Sequence, residues 1–393
     1  VRVLQICCEM PPFNGGIGTA VADMAPALVR EGINLEILGI YPASQMNGAG
    51  LAQSEEVSGY RVTRIASRWE KFPMRLRLWL ERQRLLREVK RVVREKNVDA
   101  VLADDYDGWL PWGTGSKVPL LTRLNGSNLV YDQLLDRPGY APIHQMENRM
   151  LSLSAAWVGV SDFFLERTLA FVPPPKGLRT QVIPNAINAE HFQPAQPDLT
   201  VPGRIVFHNT LGPRKGVNEL FRAFALVHSQ RPDATLILCG SYPDFETVKR
   251  RLLELVPEPV RAAITFAGRK NRAGELQEIL RTAAVACYPS HLETFGLSPV
   301  EAMAMGRVTL FADCGPAREV ITDGVDGWIC APKDPESLAA TLLKSLSMPN
   351  DAREAMGRSA RSTVMSRFDA KVVAARWAAI LRSVAGGSGT RDR

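Results

Sequence analysis

The chain predicts an α/β protein of two domains, each a doubly wound parallel sheet. Three observations carry this. Its 393 residues are more than one ordinary core organises. Short apolar runs alternate with helix-length stretches from end to end. Near the middle, Val182–Asn188 runs into the proline-rich polar stretch Gln193–Pro197, a good domain boundary.

Each element follows from local pattern. Val1–Cys8 is a continuous apolar run suited to a central parallel strand. Glu9 and Pro11-Pro12 follow at once with no small-residue cleavage site, so this run reads as a strand rather than a signal peptide, and a cytoplasmic protein is expected. The glycine-rich loop Asn14–Gly18 leads into a helix from about Thr19 to Arg30, ended by Gly32. Ile33–Ile40, Val98–Ala103, Leu120–Leu124 and Ala155–Val160 are the next strands. In the second half the strands are Arg204–His208, Thr235–Cys239, Ile264–Ala267, Val285–Tyr288 and Val308–Phe311, with helices such as Val217–Ser229 and Gly274–Ala283 between them. The expected domains are 1–188, joined by a final helix over 369–385, and 189–368. A disordered glycine-rich tail is expected over 386–393.

Composition is ordinary for a globular protein, with 46% hydrophobic and 23% charged residues and no apolar run long enough to span a membrane. Six cysteines show no C-x-x-C spacing, and five histidines form no H-x-x-x-H pair, so neither a disulfide framework nor a protein-bound metal is expected. The net charge is +7, and residues 68–96 carry eleven Lys/Arg against four Glu, a surplus equal to the whole. Within that segment Leu78, Trp79, Leu85, Leu86, Val89, Val92 and Val93 recur near helical spacing. The plainer reading is a stripe covering the first sheet, with solvated arginines opposite. The sharper one is a basic amphipathic helix resting on anionic lipid at the inner face of a membrane. No nucleic-acid-binding motif accompanies the charge.

Several loops at strand ends carry chemistry. Gly15, Gly16 and Gly18 follow a strand and open a helix, where free N–H groups meet an anion or a plain turn uses glycine. The loop lacks the full G-x-G-x-x-G spacing and a well-placed ribose acid, which disfavours a nicotinamide oxidoreductase. Arg214-Lys215-Gly216 precedes the helix at Val217, so Lys215 can reach a phosphate that also receives the helix N-terminus; two solvated charges are the bland alternative. Beyond the strand Val285–Tyr288 runs Pro289-Ser290-His291-Leu292-Glu293-Thr294-Phe295-Gly296-Leu297-Ser298-Pro299-Val300-Glu301, then Ala302-Met303-Ala304-Met305-Gly306. Glu293 falls at a strand's carboxyl end, where open α/β sheets bind ligands. Ser298 suits an N-cap with Pro299 at the first helical position, which puts Glu301 in the first turn.

On these residues the chain resembles the retaining glycosyltransferases of family four, in the GT-B superfamily, also described as glycosyl transferases group 1. The resemblance implies two facing Rossmann-like domains with a cleft between them, and transfer of a sugar from a nucleoside-diphosphate sugar to a hydroxyl acceptor: a glycan, a lipid-linked sugar or a small molecule. It implies a hexosyl or glycosyltransferase of the EC 2.4 type, without metal or other cofactor. Gly15–Gly18 resembles the family's N-terminal glycine loop, which faces the diphosphate, and Val182–Asn188 its V-I-P-N-G-V-D stretch. Lys215 matches the lysine that contacts the diphosphate. Glu293 matches the glutamate at the sugar hydroxyls, and Glu301, with seven residues between, the glutamate on the ribose. Phe295, Gly296 and Leu297 then offer backbone N–H groups near the sugar and phosphate. Arg269-Lys270 sits where the family frames the base, and 369–384 resembles its final helix.

Two positions depart from the pattern. The usual arginine ahead of the lysine is replaced by Asn209-Thr210, a loss of about 1.5–3 kcal/mol of charge-assisted contact unless Arg214 substitutes. The usual His-Gly pair on the acceptor side is Asn125-Gly126, and an amide hydrogen-bonds a hydroxyl without acting as a proton donor at neutral pH. A sugar-nucleotide epimerase of the same fold and a non-catalytic sugar-nucleotide-binding protein therefore stay open.

Overall fold

The structure is a computed structural model that describes residues 1–12, 15–194 and 199–387. The chain divides into two compact units, Val1–Ala186 with the helix Ala370–Gly387, and Ile187–Asp369.

In the first unit the strands are β1 (Arg2–Ile6), β2 (Asn34–Pro42), β3 (Ser54–Val57), β4 (Tyr60–Ser67), β5 (Ala100–Asp104), β6 (Leu120–Leu124), β7 (Ala156–Gly159) and β8 (Arg179–Val182). They form one sheet in the order β3-β4-β2-β1-β5-β6-β7-β8, parallel except for the β3–β4 hairpin. Strand β1 is central because both of its faces are apolar. Val3 and Cys7 pack on one side with Val21, Met24 and Leu28 of the helix Gly16–Arg30, while Leu4 and Ile6 pack on the other with Leu85, Val89 and Val92. The final helix completes the first of these layers through Val373, Trp377 and Leu381.

The second unit holds β9 (Arg204–His208), β10 (Thr235–Cys239), β11 (Ile264–Gly268), β12 (Val285–Tyr288), β13 (Thr309–Ala312) and β14 (Trp328–Cys330), all parallel, in the order β11-β10-β9-β12-β13-β14. Numbered within the unit this is 3-2-1-4-5-6, the dinucleotide-fold order, whose direction reverses between β9 and β12.

Some expectations shift. The hairpin β3–β4 and the edge strands β8 and β14 are additions to the expected set. The basic segment forms the helix Met74–Lys96, whose inner face is Leu78, Leu85, Leu86, Val89 and Val92; Trp79 leaves that stripe and is 48% exposed. Ser298 does not cap a helix. The helix starts at Leu297 with Gly296 before it, so Ser298 is already inside and Glu301 falls past the first turn. Of the expected tail, Gly386 and Gly387 end the last helix, and 388–393 lie outside the described residues, as do Asn14 and part of the proline-rich stretch.

Candidate functional site

In the second unit two loops meet at the carboxyl ends of β9 and β12, where the strand order reverses. After β9, a single 3₁₀ turn, Pro213–Lys215, leads through Gly216 into the helix Val217–Gln230. Gly216 has φ +70°, and a Cβ there would stand 1.8 Å from the Pro289 carbonyl oxygen, so this turn closes on the β12 loop only with glycine. The His291 amide donates to the Arg214 carbonyl at 2.8 Å and fastens the loops together.

That fastening brings Lys215 to Glu293. Lys215 Nζ donates to Glu293 Oε1 at 2.6 Å, and Ser290 Oγ donates to the same oxygen at 2.8 Å. Burial pushes the Glu293 carboxyl up, but Lys215, Arg214 and the Ser290 hydroxyl outweigh it and hold the group below the usual carboxylate range. Arg214 therefore acts on the same carboxylate as Lys215. Asn209, beside the site on the β9 loop, donates from Nδ2 to Ser298 Oγ at 3.3 Å and accepts the Thr210 amide at 2.8 Å.

Glu301 sits in a second charged cluster. Its Oε1 accepts Arg272 Nε at 2.6 Å, its Oε2 lies 3.0 Å from His208 Nε2, and His208 Nδ1 lies 2.7 Å from the Tyr288 hydroxyl. Burial raises the carboxyl, yet Arg272 and His208 bring it down to about 2. Arg272 also covers the Phe192 ring, 4.9 Å from its centroid. Arg269 is exposed; the basic side chain at the Glu301 carboxylate is Arg272, three residues later. Gly296 and Leu297 open the helix Leu297–Ala304 after β12, and buried Phe295 packs edge-on against Phe368.

The first unit has its own cluster of acids at the carboxyl ends of β1, β5 and β6. Asn125 donates from Nδ2 to Asp104 Oδ1 and from its amide to Asp105 Oδ1 at 2.8 Å, and the Ser127 amide donates to Asp105 Oδ2 at 2.9 Å. Burial pushes Asp104 up to about 6 against the pull of Arg123 and Asn125. Burial, then the nearby Glu147, pushes Asp105 up to about 8. Glu9, raised to about 7 by burial and by Asp104 and Asp107, shares with those two a pocket of about 200 Å³. Asn125 reaches that pocket through Asp104.

The glycine loop packs on Glu9. A Cβ on Gly15 would stand 1.8 Å from Glu9 Oε2, and one on Gly18 1.7 Å from the Glu9 carbonyl oxygen. Gly18 is thus required by close packing on backbone within the first unit, whereas a side chain at Gly15 would only have to displace the Glu9 carboxyl; Gly16 begins the helix.

His208, Tyr288, Ser290, Arg272, Glu9, Asp104 and Asp105 are absent from the sequence-derived candidates. Asp104-Asp105 ends an apolar strand and Glu9 follows one, the same cue that singled out Glu293. Among the described residues, no group of three or more His, Cys, Asp or Glu is disposed to hold a metal ion.

Comparison with known proteins gives the family and the fold. Residues 14–191 match the family described as Glycosyltransferase Family 4, and residues 192–363 match Glycosyl transferases group 1. Glycogen synthase of Mycobacterium tuberculosis is 25% identical over 95% of this chain and 92% of its own length. Alpha-maltose-1-phosphate synthase of Mycolicibacterium smegmatis is 26% identical over 63% of this chain and 67% of its own. Among solved structures, sucrose-phosphate synthase from Thermosynechococcus elongatus superposes with a TM-score of 0.82 at 20% identity, covering 98% of this chain and 99% of that one. An Anabaena protein solved with UDP and glucose gives 0.75 at 17% identity, covering 97% and 99%. The two doubly wound sheets are those of the GT-B fold.

Proposed function

Because the chain belongs to the family-four glycosyltransferases, its two halves matching the family's two parts in succession, we propose that it moves a sugar from a nucleoside-diphosphate sugar to a hydroxyl acceptor with retention of anomeric configuration. The observation that carries this reading is the convergence of Lys215, Arg214 and Glu293 where β9 and β12 part, the crevice in which such sheets take nucleotides.

In this reading Lys215 swings from Glu293 to the diphosphate, joined by Arg214 and the N–H groups of Phe295, Gly296 and Leu297. Charge that grows on the leaving phosphate is met by fixed cations and dipoles, so the transfer needs no divalent cation. Glu293, released from Lys215, is an ionised acceptor for the sugar hydroxyls and orients the ring; it is not assigned as a nucleophile. The acceptor hydroxyl attacks on the face the diphosphate leaves, and its proton passes to the departing phosphate oxygen. Glu301 takes the ribose, with Arg272 and His208 holding its carboxylate in place. The acceptor reading rests on the pocket at the ends of β1 and β5, where Asp104 and Asp107 are hydrogen-bond acceptors for hydroxyl groups.

The experiment is a thermal-shift panel of UDP-, GDP- and ADP-sugars with EDTA present, followed by proton NMR of the product formed with the stabilising donor. An axial donor linkage that becomes equatorial in the product removes retention. Conversion of donor without any acceptor points to an epimerase instead, and tight donor binding with no turnover on a panel of glycans and sugar phosphates points to a binding protein.

A further inference from the structure

The helix Met74–Lys96 has an outer face that the transfer reaction does not use. Residues three and four apart share one side of a helix, and the line opposite the buried Leu85 and Val89 runs Leu76, Trp79, Gln83, Arg87, Lys90, Arg94. At 1.5 Å per residue this stripe is about 27 Å long. Its first end is apolar and uncovered: Phe72, Met74, Leu76 and Trp79 are 46%, 54%, 44% and 48% exposed. The remainder is cationic, and Arg87, Lys90 and Arg94 form no ion pair among the described residues, whereas Arg84 and Arg91 on the flank are paired with Glu88. Leu76 and Trp79 also line a groove of about 530 Å³ together with Pro111, Trp112 and Met146, and Arg75 and Arg149 contribute to its wall.

We propose that this face docks the protein on an anionic lipid surface, with Trp79 and Leu76 entering the acyl boundary and Arg87, Lys90 and Arg94 lying along the headgroups. Charge complementarity selects the occupant. Lipid phosphates neutralise a row of cations, and the apolar end of the same row needs a medium that is apolar a few ångströms below those phosphates. A second copy of this chain offers the opposite: symmetric pairing of this face would set one basic stripe against another. The reading is independent of the transfer chemistry, since it uses none of the residues assigned to that reaction.

The test is flotation of the full chain with vesicles of phosphatidylcholine alone or mixed with phosphatidylglycerol. Binding is expected only to the mixed vesicles, and should weaken as salt rises. Two variants, L76Q/W79Q and R87E/K90E/R94E, should each lower partitioning by about tenfold or more with an unchanged melting temperature. R250E/R251E/R261E, which makes the same charge change on exposed arginines of the second unit, should bind as the parent does. Equal loss in this control means that net charge, not the stripe, drives binding, and overturns the proposal. It is equally overturned by no binding to mixed vesicles, by equal binding to phosphatidylcholine alone, by single-stranded DNA displacing the vesicles, or by a dimer that L76Q/W79Q dissolves.

Discussion

Lys215 and Glu293 neutralise each other in a site where both are largely buried, with side-chain exposures of 12% and 9%. Lys215→Ala removes the cation and leaves the carboxylate with Arg214 and Ser290 alone. Turnover should fall by about tenfold or more, the effect of losing one charge-assisted contact to a diphosphate, with the loss in kcat rather than confined to KM. Unchanged turnover would take Lys215 out of the mechanism. Arg272→Ala and Arg269→Ala form a sharper pair. The first strips Glu301 of its 2.6 Å partner and should weaken donor binding by about tenfold, read by calorimetry with the cognate sugar nucleotide. The second changes an exposed side chain and should leave donor affinity within about twofold of the parent. Equal effects from the two would reverse the assignment of the basic residue at Glu301. The pair also shows what was legible in the sequence at this scale. Glu293 and Glu301 stand in one distinctive string and Lys215 in a short turn ahead of a helix, and all three are legible through the family resemblance that those motifs carry. Arg272 was not, because it meets Glu301 across 29 positions, and His208 meets it across 93, distances over which no periodicity carries information.

At the scale of elements, the site depends on one turn passing under another. Gly216→Ala should cost the second unit on the order of 3 kcal/mol, from left-handed strain plus collision with the Pro289 carbonyl. Denaturant unfolding followed by a probe in that unit measures it, and a loss below about 0.5 kcal/mol would mean the two loops are not locked together. Strand positions are largely readable because β1, β5, β6, β9, β10 and β12 are mostly buried on both faces and appear as short, predominantly apolar runs. The hairpin β3–β4 was missed for the converse reason: it lies at the sheet edge, and Glu55, Glu56, Arg61 and Arg64 interrupt its pattern. Strand β14 has only three residues. The cap at Ser298 failed because a serine before a proline suits a helix start, whereas here Gly296 makes the entry and the serine hydroxyl is taken by Asn209. The glycine loop at Gly15 and Gly18 was readable as a strand-to-helix turn, but its packing on Glu9 was not.

For the molecule as a whole, the carboxylate clusters at the strand ends of the two units are tuned in opposite directions, and the stability each contributes should follow pH with opposite sign. In the first unit Glu9, Asp104 and Asp105 are pushed up to about 7, 6 and 8, while in the unfolded chain they ionise near 4. Between those values the native state keeps protons that the unfolded state has released, so the first unit loses stability as pH rises from about 4 to 8. In the second unit Glu293 is held low and Glu301 lies at about 2. There the unfolded state takes up protons first, so that stability is intact above about 4.5 and drains away as pH falls toward 2. Hydrogen exchange resolves the two units separately, which a single melting curve of a two-domain chain does not. After correction for intrinsic exchange, β5 and β6 amides should lose protection between pH 5 and 9 by several kcal/mol, at about 1.4 kcal/mol for each pH unit by which a group is raised, while β9 and β12 amides stay level over that range and weaken only below about pH 4. If both sets moved together, the acids at the ends of β1 and β5 would not be the desolvated cluster described, and the hydroxyl-accepting role given to that pocket would lose its physical basis.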